Sequence, residues 1–297
     1  MIRKFKTLPS MIFDMANHIF LVILLLVCLL PMIHIIAISF SDSASAGANL
    51  VSFWPMGFNT EAYKLVFKSS MFLNSFVISV LRTVSGTALN MFMVIMAAYP
   101  LSKDKDELKG RNVFMWFYII PMLFGGGLIP FYMLVKNLDL INNFWVLILP
   151  SAVPIFNVII MMNFFRGINK SILESANMDG AGSVTLLVKI MLPLSVASIA
   201  TLTLFSLVDY WNEWFTALIF MNGSEKWPLQ TLLRQLISAT AIDFKNFKVE
   251  DIIRLRKLSD RSFKAAQIVF STIPILCVYP FLQKYFIKGL TLGSVKE

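Results

Sequence analysis

Few residues of this chain have the types and spacing that catalysis or metal binding requires. The two histidines, His18 and His34, share one apolar run with no acid or cysteine in a useful array, and Cys28 and Cys277 also lie in apolar runs. The glycines 125–127 are not followed by Lys-Ser or Lys-Thr, as a phosphate-binding loop would require. We therefore expect no enzyme, no metal site, no disulfide framework and no cofactor bound by this chain.

Ionisable and aromatic residues inside apolar runs are stronger candidates for a site. An ionisable side chain in such a run is costly unless it faces a cavity or a partner. Flat aromatic rings and amide or carboxylate groups, which bind sugars, occur together within one helical turn at 211–214. The residues predicted to line a substrate pathway are Arg82, Trp211, Asn212, Glu213 and Trp214. Arg82 is predicted to pair with Asp209, and an aromatic belt at the membrane surface is the alternative for the tryptophans.

A helical loop with a glycine turn lies between two apolar runs. It reads Glu174-Ser175-Ala176-Asn177-Met178-Asp179-Gly180-Ala181. Asn169 or Ser171 can cap a short helix here, with Glu174 three residues after Ser171 as in a capping box. The small residues 175 and 176 leave one face shallow enough for a close partner, and Gly180 permits a tight turn. Pro193 is predicted to break the helix that follows.

The composition indicates which elements must position these residues. Of the 297 residues, 57% are hydrophobic and 14% are charged, and the mean hydropathy is +0.73. A soluble domain carries about a quarter charged residues. The net charge of +9 could indicate a nucleic-acid partner, but the basic residues flank apolar runs and form no continuous stripe. We predict an integral membrane protein in contact with lipid, and no nucleic-acid partner.

Six segments are long and apolar enough to cross a bilayer as helices, which takes about 20 residues each. Their predicted bounds are 15–40, 71–100, 113–135, 144–165, 191–220 and 265–284. Runs this long and uniform do not fit barrel strands, so the predicted fold class is all-α with six transmembrane helices. The first run exceeds the core of a signal peptide, and we interpret it as an uncleaved anchor.

The basic residues predict the orientation only weakly, because the two possible sets of internal segments hold nearly equal numbers of them. Their density beside the first two runs favours an internal N-terminus. The predicted organisation is a cytoplasmic N-terminus at 1–14, a transmembrane domain at 15–290 and a cytoplasmic tail at 291–297. Within the domain, loop 166–190 is cytoplasmic and loop 222–264 is external.

The helical loop resembles the signature of bacterial ABC-importer permeases, Glu-Ala-Ala followed by a glycine and by Ile-x-Leu-Pro. Serine stands here at the second position of the signature, and the matching residues are Glu174, Ala176, Gly180, Ile190, Leu192 and Pro193. Residues 98–102 are similar to carbohydrate permeases, and 126–130 and 138–142 look like the subgroup for complex or lipid-linked oligosaccharides. The end of the chain, 283–296, is typical of the smaller permease of maltose-type importers.

The resemblance implies a type I, maltose-permease-like fold and a permease subunit that imports an oligosaccharide. It implies that the loop is a coupling helix docked in a cleft of an ATPase. The residues implied to couple to the ATPase are Glu174, Ser175, Ala176, Asp179, Gly180 and Ala181. Two ATPase subunits would bind ATP and Mg, and the other partners would be a second homologous permease, an extracellular solute-binding protein and lipid. The implied location is the bacterial cytoplasmic membrane, with both termini cytoplasmic.

Leucine and isoleucine recur with helical spacing in the predicted external loop, at 229, 232, 233, 236 and 237. We expect a helix there and a second helix at 249–259. These helices either lie flat on the membrane or, as the resemblance implies, contact a sugar-binding protein. Two other functions stay open, an ABC importer of a non-sugar solute and a secondary transporter, although no convincing internal repeat is present.

Overall fold

The computed structural model describes the backbone of residues 8–238 and 260–294 and the side chains within 9–238 and 261–280. Over these ranges the chain is helical and contains no strand. The predicted helix at 249–259 lies outside the described residues.

The helices follow one another with short connections. Their bounds are α1 Leu8–Ser39, α2 Ser43–Gly47, α3 Glu61–Lys68, α4 Ser70–Ser102, α5 Arg111–Leu123, α6 Leu128–Asn137, α7 Ile155–Arg166, α8 Lys170–Met178, α9 Ser183–Leu194, α10 Val196–Asn212, α11 Phe215–Phe220, α12 Leu229–Ser238 and α13 Asp260–Ser294. Two short 3-10 helices, Phe144–Leu147 and Leu149–Ser151, precede α7, and α9 has π-helical hydrogen bonding over Leu186–Met191.

The described helices supply three candidate membrane spans, or up to six, the number predicted from the sequence, if each bent pair of helices is one span. Three helices are long and apolar enough by themselves, over Pro9–Ser39, Ser70–Ser102 and Arg261–Pro280. The other three spans are pairs of helices joined at a bend. The bend is 117° between α5 and α6, 48° between the 3-10 segment Phe144–Ser151 and α7, and 81° between α9 and α10. The predicted spans 113–135, 144–165 and 191–220 therefore each contain a bend.

Each bend lies at residues that do not favour a continued helix. Gly127, which precedes α6, has a φ of 79°, a conformation open to glycine. Pro154 precedes α7 with extended backbone, and a proline also disfavours helix at the residue before it. Ser195, between α9 and α10, follows Pro193 by two residues. Irregular backbone at membrane depth is tolerated only where protein or water meets its polar groups.

The described chain divides into two compact units. The first comprises the described residues of 1–70 and 235–272, and the second those of 71–234 and 273–297. In the first unit, none of the most apolar stretch of α1 is buried, as expected for a helix that faces lipid. In the second unit, the largest apolar core joins α4, α7, α9 and α10. Its fully buried side chains include Val94, Met161, Leu186 and Leu202.

Candidate functional site

A cavity of about 610 Å³ lies within the second unit, beside the C-terminal turn of α10. Its wall is formed by that turn, by the residues that connect α10 to α11, by α4 and by segment 150–154. The volume falls in the range of small-molecule sites, about 300–1,000 Å³. Polar and charged side chains reach the cavity from three different parts of the chain.

The connection between α10 and α11 shapes this cavity. α10 ends at Asn212, Glu213 has extended backbone with φ −68° and ψ 126°, and α11 begins at Phe215. The Glu213 carboxylate accepts a hydrogen bond from the Thr216 N–H at 2.8 Å, as a helix cap does. The chain thus borders the cavity as an interrupted helix. Transporters use such interruptions to present helix ends and free backbone groups to a substrate.

Arg82 of α4 contacts Glu213, the residue at this interruption. Its side chain is 1% exposed, and the guanidinium donates to the Glu213 carbonyl at 2.9 Å and forms an ion pair with the Glu213 carboxylate. The predicted pair of Arg82 with Asp209 is therefore wrong. Because the helix ends at Asn212, the Glu213 carbonyl has no helical partner, and Arg82 supplies one. Among the described residues, none forms a hydrogen bond with the buried Nε of Arg82.

Tyr210 fixes the position of α10 against α4. Its ring packs over Gly86, where a Cβ atom would lie 2.7 Å from ring carbons. Its hydroxyl donates to the Ile148 carbonyl at 3.1 Å, which satisfies a backbone acceptor in the irregular segment before α7. Glycine at position 86 is therefore required for this close approach.

A buried polar network supports the opposite wall. The Asn90 amide donates to the Ser151 carbonyl at 3.1 Å, and its oxygen accepts from the Ser206 hydroxyl at 2.9 Å. The three residues belong to α4, the 3-10 segment and α10. Their hydrogen bonds satisfy backbone and side-chain groups that would otherwise be costly in this apolar setting. The cavity wall is consequently held by direct bonds between elements.

The helical loop folds as α8 with both ends capped. Of the two caps considered, Asn169 is the one that forms, since its side chain accepts from the Ser171 N–H at 3.0 Å. At the other end the Ala181 N–H donates to the Ala176 carbonyl and the Gly180 N–H to the Asn177 carbonyl, each at 3.0 Å. Gly180 has a φ of 79°. This is a Schellman turn, and it explains the glycine of the signature.

α8 has one face on the protein and one in solvent. Leu173 and Ala176 are partly buried and pack against the core of α4, α7, α9 and α10. The residues of α8 with exposed side chains are Lys170, Ser171, Ile172, Glu174, Ser175, Asn177 and Met178, and Asp179 after the helix is also exposed. Met178 is 89% exposed.

An ion pair connects α8 to the loop that follows α4. The Lys170 ammonium lies 2.8 Å from the Asp104 carboxylate. This hydrogen bond and the charge of Lys170 lower the pKa of Asp104, and the same contact raises the pKa of Lys170. A groove of about 380 Å³ lies between this loop and α8, with Glu174 and Asn177 on its wall.

Comparison with known proteins decides the family. Residues 5–292 match the family model described as "Binding-protein-dependent transport system inner membrane component". The chain belongs to this family. Its members are non-catalytic permease subunits of ABC importers in the inner membrane, so the resemblance and the type I permease fold are confirmed, and a secondary transporter is not supported.

Some relatives of the permease are named for carbohydrate transport. It is 41% identical over 97% of its length to all of the polygalacturonan/rhamnogalacturonan transport system permease protein YtcP of Bacillus subtilis (strain 168). It is 42% identical over 98% of its length to protein LplC of the same strain, of which 97% is covered. A chain in the crystal structure of a bacterial ABC transporter for the acidic polysaccharide alginate is 32% identical, with a TM-score of 0.87 and coverage of 95% of the permease and 99% of that chain.

The structure brings four of the five predicted pathway residues of the permease to the cavity, namely Arg82, Asn212, Glu213 and Trp214. Trp211 is not on the cavity wall. It is 5% exposed and packs edge-on against Phe76, with 6.1 Å between ring centroids. Ser151 and Pro154 also line the cavity, and sequence analysis missed them. The two prolines of segment 150–154, four residues apart inside a predicted span, were the available signal.

Asp209, one of the ionisable residues within a predicted span, also lines the cavity. Its side chain is exposed on the cavity wall of the permease. Within the described part of the chain, its carboxylate makes no hydrogen bond or ion pair. A group that sequence analysis treated as a partner of Arg82 is instead available to a ligand.

The helix predicted from the leucine and isoleucine stripe at 229–237 is confirmed as α12. Leu229, Leu232 and Leu233 are buried, so this part of the apolar face is covered by protein and does not lie on a membrane. The Leu229 N–H also donates to the Ser79 hydroxyl of α4 at 2.7 Å. Ile237, at the end of the stripe, is 55% exposed.

Proposed function

We propose that this permease is the membrane-spanning subunit of an ABC importer that carries an oligosaccharide into the cell. The cavity at the α10–α11 interruption carries this proposal. Trp214 offers an indole ring there, and Asn212 and Asp209 offer an amide and a carboxylate for sugar hydroxyls. The names of the relatives support the same substrate class, since they include polygalacturonan/rhamnogalacturonan and arabinooligosaccharide systems.

The charges at membrane depth support a transport pathway at this cavity. The charge of Arg82 is matched by Glu213, but the Asp209 carboxylate is exposed and without a partner in the described chain. Such a group is costly against lipid and is found facing water-filled cavities. The wall that carries Asp209 therefore faces an aqueous pathway in the assembled importer, with a second homologous permease completing it.

α8 is the proposed coupling helix. Two ATPase subunits, which bind ATP and Mg, provide the clefts, and α8 enters one of them. The docking residues are Glu174, Ser175, Ala176, Asp179, Gly180 and Ala181. Leu173 and Ala176 pack against the core that contains α4 and α10, so displacement of α8 is transmitted to the helices of the cavity.

The orientation follows from this role. Loop 166–190 and both termini are cytoplasmic, and loop 222–264 is external, where an extracellular solute-binding protein delivers the sugar. The family description, which names binding-protein-dependent transport, supports this partner. The chain itself performs no chemistry on ATP or sugar.

The test is ATP hydrolysis by the importer complex in proteoliposomes, measured with and without binding protein and a panel of oligosaccharides. Glu174→Gln should reduce the stimulation about tenfold or more, because a charge-assisted contact contributes about 1.5–3 kcal/mol. Asp106→Asn is the matched control, since Asp106 is an exposed carboxylate on the neighbouring loop, and it should leave stimulation unchanged. Full stimulation with Glu174→Gln would reject the coupling role. Stimulation by peptides or ions and by no oligosaccharide would reject the substrate class.

A further inference from the structure

The charged groups on the cavity wall do not balance. Of the described residues that line it, Arg82 is basic and both Asp209 and Glu213 are acidic. Arg82 is already occupied, because Glu213 accepts from it with both its carboxylate and its backbone carbonyl. The wall therefore presents one carboxylate, that of Asp209, with no cation assigned to it.

We infer that this cavity binds uncharged glycosyl units and discriminates against uronates, with Asp209 as the residue that makes the distinction. The inference rests on the proposed function and specifies its substrate class. It does not follow from the relatives, because the alginate and polygalacturonan systems are named for acidic polymers.

The backbone around Asp209 adds to the negative potential. Asp209 lies in the last turn of α10, a helix of 17 residues. A helix C-terminus carries a partial negative charge of roughly half an elementary charge. A hydroxyl group can donate to the Asp209 carboxylate and to such a helix end, whereas a uronate carboxylate only accepts hydrogen bonds and is repelled by both.

The positive charge of Arg234, near the cavity, opposes the negative potential around Asp209. The Arg234 guanidinium of α12 lies 4.7 Å from the centre of the Trp214 ring. Arg234 is exposed and is not a lining residue, so solvent screens its charge. It occupies one face of the indole, which leaves the ring edge and the other face for a sugar.

The test uses sugar trimers that differ only at C6. The pairs are galactotriose with trigalacturonate, mannotriose with trimannuronate, and cellotriose with the corresponding triglucuronate. Binding to the importer complex in nanodiscs, without its binding protein, is measured by isothermal titration calorimetry. We expect at least one neutral trimer to bind about tenfold or more tightly than its uronate, because like charges placed together in an interface are strongly disfavoured. Asp209→Asn should reduce that ratio to about threefold or less, since it removes the one uncompensated charge.

Asp139→Asn is the matched control. Asp139 is exposed, lies off the cavity wall and has a φ of 53°, which asparagine tolerates, so this variant should keep the wild-type ratio. A uronate that binds more tightly than its neutral counterpart would overturn the inference. So would a ratio unchanged by Asp209→Asn, or the absence of binding by every trimer. These results leave the coupling measurement with Glu174→Gln untouched, so failure of the selectivity and failure of the importer role are distinguished.

Discussion

Removal of the charge at Glu213 tests whether its pair with Arg82 holds α4 to the interruption between α10 and α11. Glu213→Gln keeps an oxygen that can accept from the Thr216 N–H, but it leaves the guanidinium without its counter-charge. The Arg82 and Glu213 side chains are 1% and 29% exposed. Removing one partner of a buried pair costs about 3–5 kcal/mol. Because Glu213 is partly exposed and the carbonyl contact at 2.9 Å remains, we expect about 3 kcal/mol of lost unfolding free energy.

The assay is thermal unfolding of the purified importer complex in detergent. A loss of 1 kcal/mol lowers the melting temperature by about 2–4 °C in domains of 150–250 residues, so the variant should melt about 6–12 °C lower. Glu107→Gln is the control, since it removes the partly exposed i,i+4 pair of Lys103 and Glu107 at 2.8 Å, which is worth about 0.5 kcal/mol. The double variant Arg82→Met with Glu213→Gln removes both charges and should regain part of the loss.

Two outcomes would refute the reasoning. If Glu213→Gln melts within 2 °C or so of the Glu107→Gln control, the buried guanidinium is not stabilised by its partner. If the double variant is destabilised by the sum of the single effects, the two side chains do not act as a pair.

Two further predictions concern helix packing and the loop after α4. Gly86→Ala should lower the melting temperature, since a Cβ atom 2.7 Å from the Tyr210 ring forces a displacement that costs about 1–3 kcal/mol. Gly125→Ala is the control and should leave the melting temperature unchanged, because no atom lies within 4 Å of the added Cβ. Equal effects of the two substitutions would contradict the close packing at Gly86. Asp104→Asn should speed hydrogen exchange of 170–178, because the ion pair to Lys170 is lost. The pKa of Asp104 is lowered from 3.8 and that of Lys170 is raised from 10.5, so the stabilisation is lost only as pH falls below 3.8 or rises above 10.5. The difference in exchange should therefore persist from pH 6 to 9, and its disappearance within that interval would disprove the assignment.

Local signals predicted α8 and its turn, whereas the interruption at Glu213 depended on tertiary contacts. Asn169 and Gly180 act through hydrogen bonds within a few residues, which a sequence pattern can show. Asp209 and Glu213 are four residues apart and would share one face of a continuous helix, so the sequence could not tell which of them meets Arg82. Because α10 ends at Asn212, the Glu213 carbonyl is free to accept a hydrogen bond from the guanidinium, and Arg82 therefore pairs with Glu213.

The same interruption explains the outcome for the tryptophans. In an unbroken helix Trp211 and Trp214 would lie on one face, three residues apart. The extended backbone at Glu213 reorients the chain, so Trp214 lines the cavity while Trp211 is buried against Phe76. Hydropathy likewise predicted six spans but not their bends, since glycine and proline residues add little to a hydropathy sum.

The separation of Arg82 from Glu213 has a consequence for how the permease is made. The two residues are 131 positions apart, so at about 5–20 residues per second Arg82 is synthesised roughly 7–26 seconds before its counter-ion. An arginine near the middle of an inserting helix costs about 2.5–3.5 kcal/mol. The apolar residues of α4 must therefore offset the free-energy cost of inserting the unpaired guanidinium. A nascent chain that stops before residue 213 therefore has no counter-ion from Glu213 for the buried Arg82 guanidinium.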